Sequence, residues 1–148
     1  MAVQRTIHDV ITEATHQGGI ELFHGYTYSG HPVALAAMVA ALDIYGDEKL
    51  FEQARRLENA FEDAAHSLHD VARVVDIRNF GLVAGIQLEP RNGAPGARAY
   101  EAFLACLRMG VLVRYTGETL ALSPPLVINE SQIDQLFTTV RTALREVS

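Results

Sequence analysis

The sequence predicts an α+β fold, an antiparallel sheet with helices packed on one face. Three observations carry this. After Asp47, three stretches repeat apolar residues at helical spacing. Between them lie two stretches rich in Val, Ile and Leu. Each of these is split by a short glycine-containing turn, so its halves pair as a hairpin. The order α-β-β-α-β-β-α from Asp47 therefore gives an antiparallel sheet with one helical layer.

Each element has a local reason. Thr6 with Asp9 three residues on resembles a helix cap, and Ile7, Val10, Ile11 and Ala14 form one apolar face that Gly18-Gly19 ends. The stretch from Glu21 to Pro32 mixes glycine, aromatic and hydroxyl residues without a period. Pro32 suits a first helical turn, and from Val33 to Tyr45 only Asp43 is charged. A helix apolar all round must be covered on most sides. Gly46 ends it and Asp47 is expected to cap the next helix. That helix carries Leu50, Ala54, Leu57, Phe61, Ala64 and Leu68 on its apolar side, with Lys49 among charges at its start. Strands are expected at 71–78 and 82–89 around Asn79-Phe80-Gly81, and a loop at 90–96. A third helix places Ala97, Tyr100, Phe103, Leu104 and Leu107 inward and stops at Gly110. Strands at 111–115 and 119–123 follow around Thr116-Gly117-Glu118, closed by Pro124-Pro125. Asn129 with Gln132 forms a capping box before a helix with Ile133, Leu136, Phe137, Val140 and Leu144 inward.

Residues 1–45 supply a helix needing cover and a loop, too little for a core of their own. They read as the end of a domain whose remainder lies elsewhere, and 46–148 as a second, smaller domain. The 148 residues carry net charge −6, which argues against a nucleic-acid surface. The longest nearly uncharged run, 32–42, is too short to span a bilayer, and the start of the chain lacks a signal-peptide pattern. The single cysteine, Cys106, excludes an internal disulfide and fits a reducing, cytoplasmic setting.

Candidate chemistry is sparse. Gly25-Tyr26-Thr27-Tyr28-Ser29-Gly30-His31-Pro32 places hydroxyls and flexible backbone before a helix, a setting that binds anions. The simpler alternative is a helix entry capped by Ser29. Alternation puts Arg114 on the same strand face as Leu112, where a guanidinium can clamp a carboxylate, or merely reach solvent. His66 and His69 read as solvated, His24 and His31 flank the loop, and Cys106 reads as core. There is no metal-ligand spacing, Walker loop or GxGxxG. Twelve basic residues include one lysine, Lys49.

Three motifs in order carry a resemblance: Phe23-His24-Gly25-Tyr26-Thr27-Tyr28-Ser29-Gly30-His31-Pro32 with the Ala-rich helix after it; Asp76-Ile77-Arg78-Asn79-Phe80-Gly81-Leu82 with Gly85-Ile86; and Gly110-Val111-Leu112-Val113-Arg114 through Leu122-Ser123-Pro124-Pro125-Leu126. Together they resemble the C-terminal part of class III pyridoxal-phosphate-dependent aminotransferases, most closely the ω-amino acid (β-alanine):pyruvate aminotransferases. The resemblance implies that residues 1–45 are the end of a cofactor-binding large domain with its phosphate loop and linking helix. It implies that Thr27, with Tyr26 and Gly25 beside it, meets the phosphate of pyridoxal 5'-phosphate across a dimer interface. It implies that Arg114 binds the substrate carboxylate. The family's Schiff-base lysine, its acidic partner for the ring nitrogen and its stacking aromatic precede the loop and have no match here. Lys49 lies past the loop and cannot replace the lysine, so the isolated chain is expected to be inactive and to leave the cofactor unbound. Its apolar helix is expected to drive self-association through residues 20–45, or association with the missing part. The alternative is a non-catalytic ligand-binding or interaction module built on the same domain.

Overall fold

The computed structural model describes residues 4–13 and 27–147. It contains α1 (Arg5–Glu13), α2 (Pro32–Asp47), α3 (Leu50–His66), a 3-10 turn (Ser67–Asp70), β1 (Val74–Phe80), β2 (Val83–Leu88), α4 (Ala97–Arg108), β3 (Arg114–Thr116), β4 (Thr119–Leu122) and α5 (Glu130–Glu146). The chain divides into two units, residues 1–40 and 41–148.

In the first unit, α1 starts one residue before Thr6. The carbonyl of Gln4 accepts from the Ile7 and His8 N–H groups, so Thr6 lies inside the helix and does not cap it. Ala14 and Gly18-Gly19 lie outside the described residues. Pro32 takes the first position of α2 as expected, and no residue of that helix is buried. Gly46 does not break α2, which runs through Asp47. Asp47 therefore cannot cap α3. Lys49 occupies that position with left-handed backbone (φ 51°) and no side-chain cap.

In the second unit the sheet order is β1-β2-β4-β3, with every neighbouring pair antiparallel. Both hairpins turn on two residues. The first closes Phe80 against Val83 around Gly81-Leu82, and the second closes Thr116 against Thr119 around Gly117-Glu118. Gly81 and Gly117 each have φ 53°, the left-handed value that glycine adopts without side-chain strain at the first turn position. The first turn thus lies two residues later than Asn79, because Asn79 and Phe80 pair with Ala84 and Val83. Val75 is left over where the β1–β2 register shifts.

Period-two alternation buries Ile77, Ala84, Ile86, Leu88, Leu120 and Leu122 on one face of the sheet. Helices α3, α4 and α5 cover that face. Phe61 of α3 meets Phe137 of α5 edge to face, ring centres 5.0 Å apart, and both are buried. Each such buried aromatic contributes about 1.5–3 kcal/mol of hydrophobic stabilisation to the core. The inward face of α4 differs from the expected one: Ala99, Ala102, Ala105 and Cys106 are buried, whereas Tyr100 and Leu107 are exposed. Small side chains let α4 approach closely, while Tyr100 and Leu107 point away from the core and Phe103 packs at its edge. Tyr100 and Phe103 instead gather with Tyr115 of β3, each ring centre 5.3 Å from that of Tyr115. Asn129 and Gln132 form the expected capping box on α5.

The N-terminus of α4 is locked from two sides. The Glu118 carboxylate accepts from the Gly96 N–H. Arg98, buried despite its charge, donates to the carbonyls of Glu89 at 2.9 Å and Val147 at 2.8 Å, which ties α4 to the end of α5. Arg91 grips Glu101 with two bonds of 2.6 and 2.7 Å.

Candidate functional site

Thr27 opens a turn, Thr27–Gly30, that leads into α2. Tyr28 (φ 65°) and Gly30 (φ 76°) both take left-handed backbone, and the Tyr28 carbonyl accepts from the His31 N–H at 3.2 Å. The helix cap is His31 rather than Ser29: its Nδ1 accepts from the Ala34 N–H at 3.4 Å and its carbonyl from Leu35 at 3.0 Å. Thr27 and Ser29 are exposed beside a helix N-terminus. Hydroxyls there, together with the helix dipole, suit an anion. Gly25, Tyr26 and His24 lie outside the described residues.

Arg114 begins β3, the edge strand. β3 starts at Arg114 rather than at Val111 as expected, but the alternation in exposure holds: Leu112 and Arg114 are exposed and Val113 between them is buried. Arg114 contributes to a groove of about 660 Å³ whose lining includes Leu112, Tyr115, Ala121, Ser123, Pro124, Pro125 and, from the helices, Phe103 and Leu136. It is the one charged side chain in that lining. The Arg114 guanidinium makes no hydrogen bond or ion pair among the described residues. By contrast Arg78, across the sheet, donates to Asp76 and Gln87, both at 3.2 Å. An unpaired guanidinium beside an apolar groove can take a carboxylate bidentately. Thr27 belongs to the first unit and Arg114 to the second.

The other candidates separate clearly. Lys49 is exposed at the start of α3. Cys106 has no exposed surface, and burial pushes its thiol up to about 11. It is core, as the sequence suggests. His66 is not solvated as expected: it is half-buried and bonded to Asn79. No group of three or more His, Cys, Asp or Glu side chains suited to a metal occurs among the described residues. No helix there is long and apolar enough to cross a membrane. Sequence reasoning missed the bonds of Arg98, to Glu89 and the distant Val147, and the bond of Asn79 to His66.

Comparison with known proteins decides the family. The Aminotransferase class-III family model matches residues 2–144. The chain belongs to the class III aminotransferases. An omega-aminotransferase of Caulobacter vibrioides is 50% identical over 147 residues, which is 99% of this chain and 33% of that protein. A beta-alanine–pyruvate aminotransferase of Pseudomonas aeruginosa is 40% identical over 93% of this chain and 31% of its own length. A thermostable omega transaminase mutant from Pseudomonas jessenii superposes with a TM-score of 0.84 at 27% identity, covering 99% of this chain and 34% of that one. The chain spans about a third of the length of these class III aminotransferases. The family depends on pyridoxal phosphate, and the likeness to solved transaminases covers nearly all of this α+β chain.

Proposed function

We propose that the chain is the C-terminal portion of an ω-amino acid:pyruvate aminotransferase, with β-alanine as a representative amino donor, acting in the cytoplasm as part of a dimer. Residues 1–45 would be the end of the cofactor-binding domain and 46–148 the small domain. The observation that carries this reading is the unpaired Arg114 on the groove, at the position where the family resemblance places the carboxylate-binding arginine.

Pyridoxal phosphate, when bound, supplies an electrophilic carbonyl and an electron sink. The chain's residues fit one end of it. Thr27, exposed in the turn before α2, offers a hydroxyl to the phosphate, with Tyr26 and Gly25 as its neighbours in the loop. Arg114 orients the amino or keto acid by its carboxylate, beside the apolar groove wall formed by Leu112, Pro124 and Leu136. The reactive end finds no partner. Catalysis needs a lysine whose amine is deprotonated by burial or a neighbouring charge, and Lys49 is exposed at a helix start. The chain therefore supplies binding groups to a site completed by other residues.

Mixing the purified chain with β-alanine, pyruvate and pyridoxal phosphate should give no alanine above a protein-free control. Turnover that survives removal of contaminants and disappears with Lys49→Ala would overturn this assignment. Turnover that survives Lys49→Ala would require another mechanism altogether.

A further inference from the structure

A pair of histidines outside the groove and the Thr27 turn is organised in a way the sequence does not announce. His66 closes α3 and His69 lies in the 3-10 turn Ser67–Asp70. A 3-10 helix has three residues per turn, so side chains three apart stack directly above one another. His66 Nδ1 accordingly lies 3.2 Å from His69 Nε2, with the rings tilted by 35°. The other nitrogen of His66, Nε2, lies 2.8 Å from Asn79 Oδ1 of β1. An amide oxygen only accepts, so Nε2 carries the proton and Nδ1 presents its lone pair to His69.

The turn that carries the pair is held firmly. Leu68 is fully buried, and the Ser67 hydroxyl donates to the Ala64 carbonyl at 2.7 Å. Arg141 of α5 donates to the Ser67 carbonyl and to Asp70 Oδ1, both at 2.6 Å. That ion pair also offsets the guanidinium charge beside the histidines.

We propose that His66 and His69 form a two-histidine chelate for a divalent transition-metal ion of the Cu²⁺, Ni²⁺ or Zn²⁺ class. Two nitrogens bound at 2.0–2.1 Å to one ion stand roughly 2.8–3.4 Å apart for angles between square and tetrahedral. The observed 3.2 Å lies within that span. On binding, His69 moves its proton from Nε2 to Nδ1, and a small ring rotation turns both lone pairs to the ion; no proton leaves the protein. Water fills the remaining positions, since no third ligand residue is present among the described residues. Imidazole favours these borderline ions over Mg²⁺ or Ca²⁺, which take oxygen ligands. Asn79 fixes the tautomer and direction of His66, as carboxylates and carbonyls do behind metal-bound histidines.

Calorimetric titration of the full chain with CuCl₂, NiCl₂ and MgCl₂ tests this, with imidazole NMR signals locating the ion. The expected result is one site, tighter for Cu²⁺ than Ni²⁺ and without response to Mg²⁺, that broadens the His66 and His69 signals first. His69→Gln keeps the His66–Asn79 bond and should leave the far-ultraviolet spectrum unchanged. It should weaken Cu²⁺ binding by more than about 10-fold, because a second ligand held in place acts through its effective concentration. Asn79→Ala should weaken it by about 10- to 100-fold, and His31→Ala should leave it unchanged. Equal Cu²⁺ affinity in the wild type and a folded His69→Gln variant overturns the proposal, as does an equal absence of saturable binding in both or broadening centred on other histidines.

Discussion

Burial sorts the chemically capable side chains of this chain into structural and functional groups. Cys106 has no accessible surface and a thiol pushed up to about 11 by desolvation, so it should react with a disulfide reagent only when the domain opens. Its modification rate at pH 8 should rise with urea in step with loss of tertiary structure; immediate labelling in buffer would contradict the packing of α4. Arg91 holds the Glu101 carboxyl below its ordinary value of 4.5 through their paired hydrogen bonds. Arg141 does the same for Asp70, ordinarily 3.8. A depressed carboxyl adds stability that is present above its ordinary pKa and lost as pH falls through the lowered one. Thermal unfolding followed from pH 5 down to pH 3 should therefore show a shallower acid loss in Glu101→Gln than in the wild type. Equal slopes would mean that the pair adds nothing to acid stability. Arg114 was legible as a candidate because strand alternation and a motif both mark it. The His66–Asn79 bond was not, because it depends on a 3-10 turn and on where β1 ends, neither of which local spacing specifies.

At the level of elements, terminal residues and turns carry much of the folding information. The Asn129–Gln132 box satisfies two backbone groups at the start of α5, and was readable because a cap is set by neighbours in sequence. Asn129→Ala should cost about 1 kcal/mol and lower the melting temperature by a few degrees, measured by calorimetry. Gly117→Val should cost more than Gly117→Ala, since a β-branched residue tolerates φ 53° least; a smaller loss for valine would mean that the turn takes another form. The inward face of α4 was misjudged for a physical reason. Hydrophobicity favours Tyr100 and Leu107, but close packing against α5 and the sheet selects Ala99, Ala102 and Ala105. The first hairpin shifted by two residues because pairing of Phe80 with Val83 extends β1 beyond the polar Asn79. Strand and helix types were therefore legible in the second unit, except for the 3-10 turn Ser67–Asp70 and residues 111–113, expected as strand but outside β3, while faces and boundaries were decided by tertiary packing.

At the scale of the whole molecule, α2 is the anomaly. Val33, Met38, Val39 and Leu42 are each more than half exposed, so a long apolar helix has no cover among the described residues. Such a surface drives association. Light scattering coupled to size exclusion should report a mass above that of the 16.2 kDa chain, falling toward it in Met38→Glu/Leu42→Glu. A monomer at high concentration in the wild type would contradict this. In the proposed function the chain contributes carboxylate and phosphate contacts, and no catalytic lysine, to an ω-aminotransferase site. This is tested most directly by steady-state kinetics of a chimera in which this chain replaces the aligned segment of the Caulobacter vibrioides omega-aminotransferase, 50% identical to it. The chimera should show β-alanine:pyruvate turnover, unchanged by Lys49→Ala, with KM for the carboxylate substrate raised about 10- to 100-fold by Arg114→Ala, as expected for a lost charged hydrogen bond. Loss of turnover in Lys49→Ala, or an unaltered KM in Arg114→Ala, would contradict the proposed function.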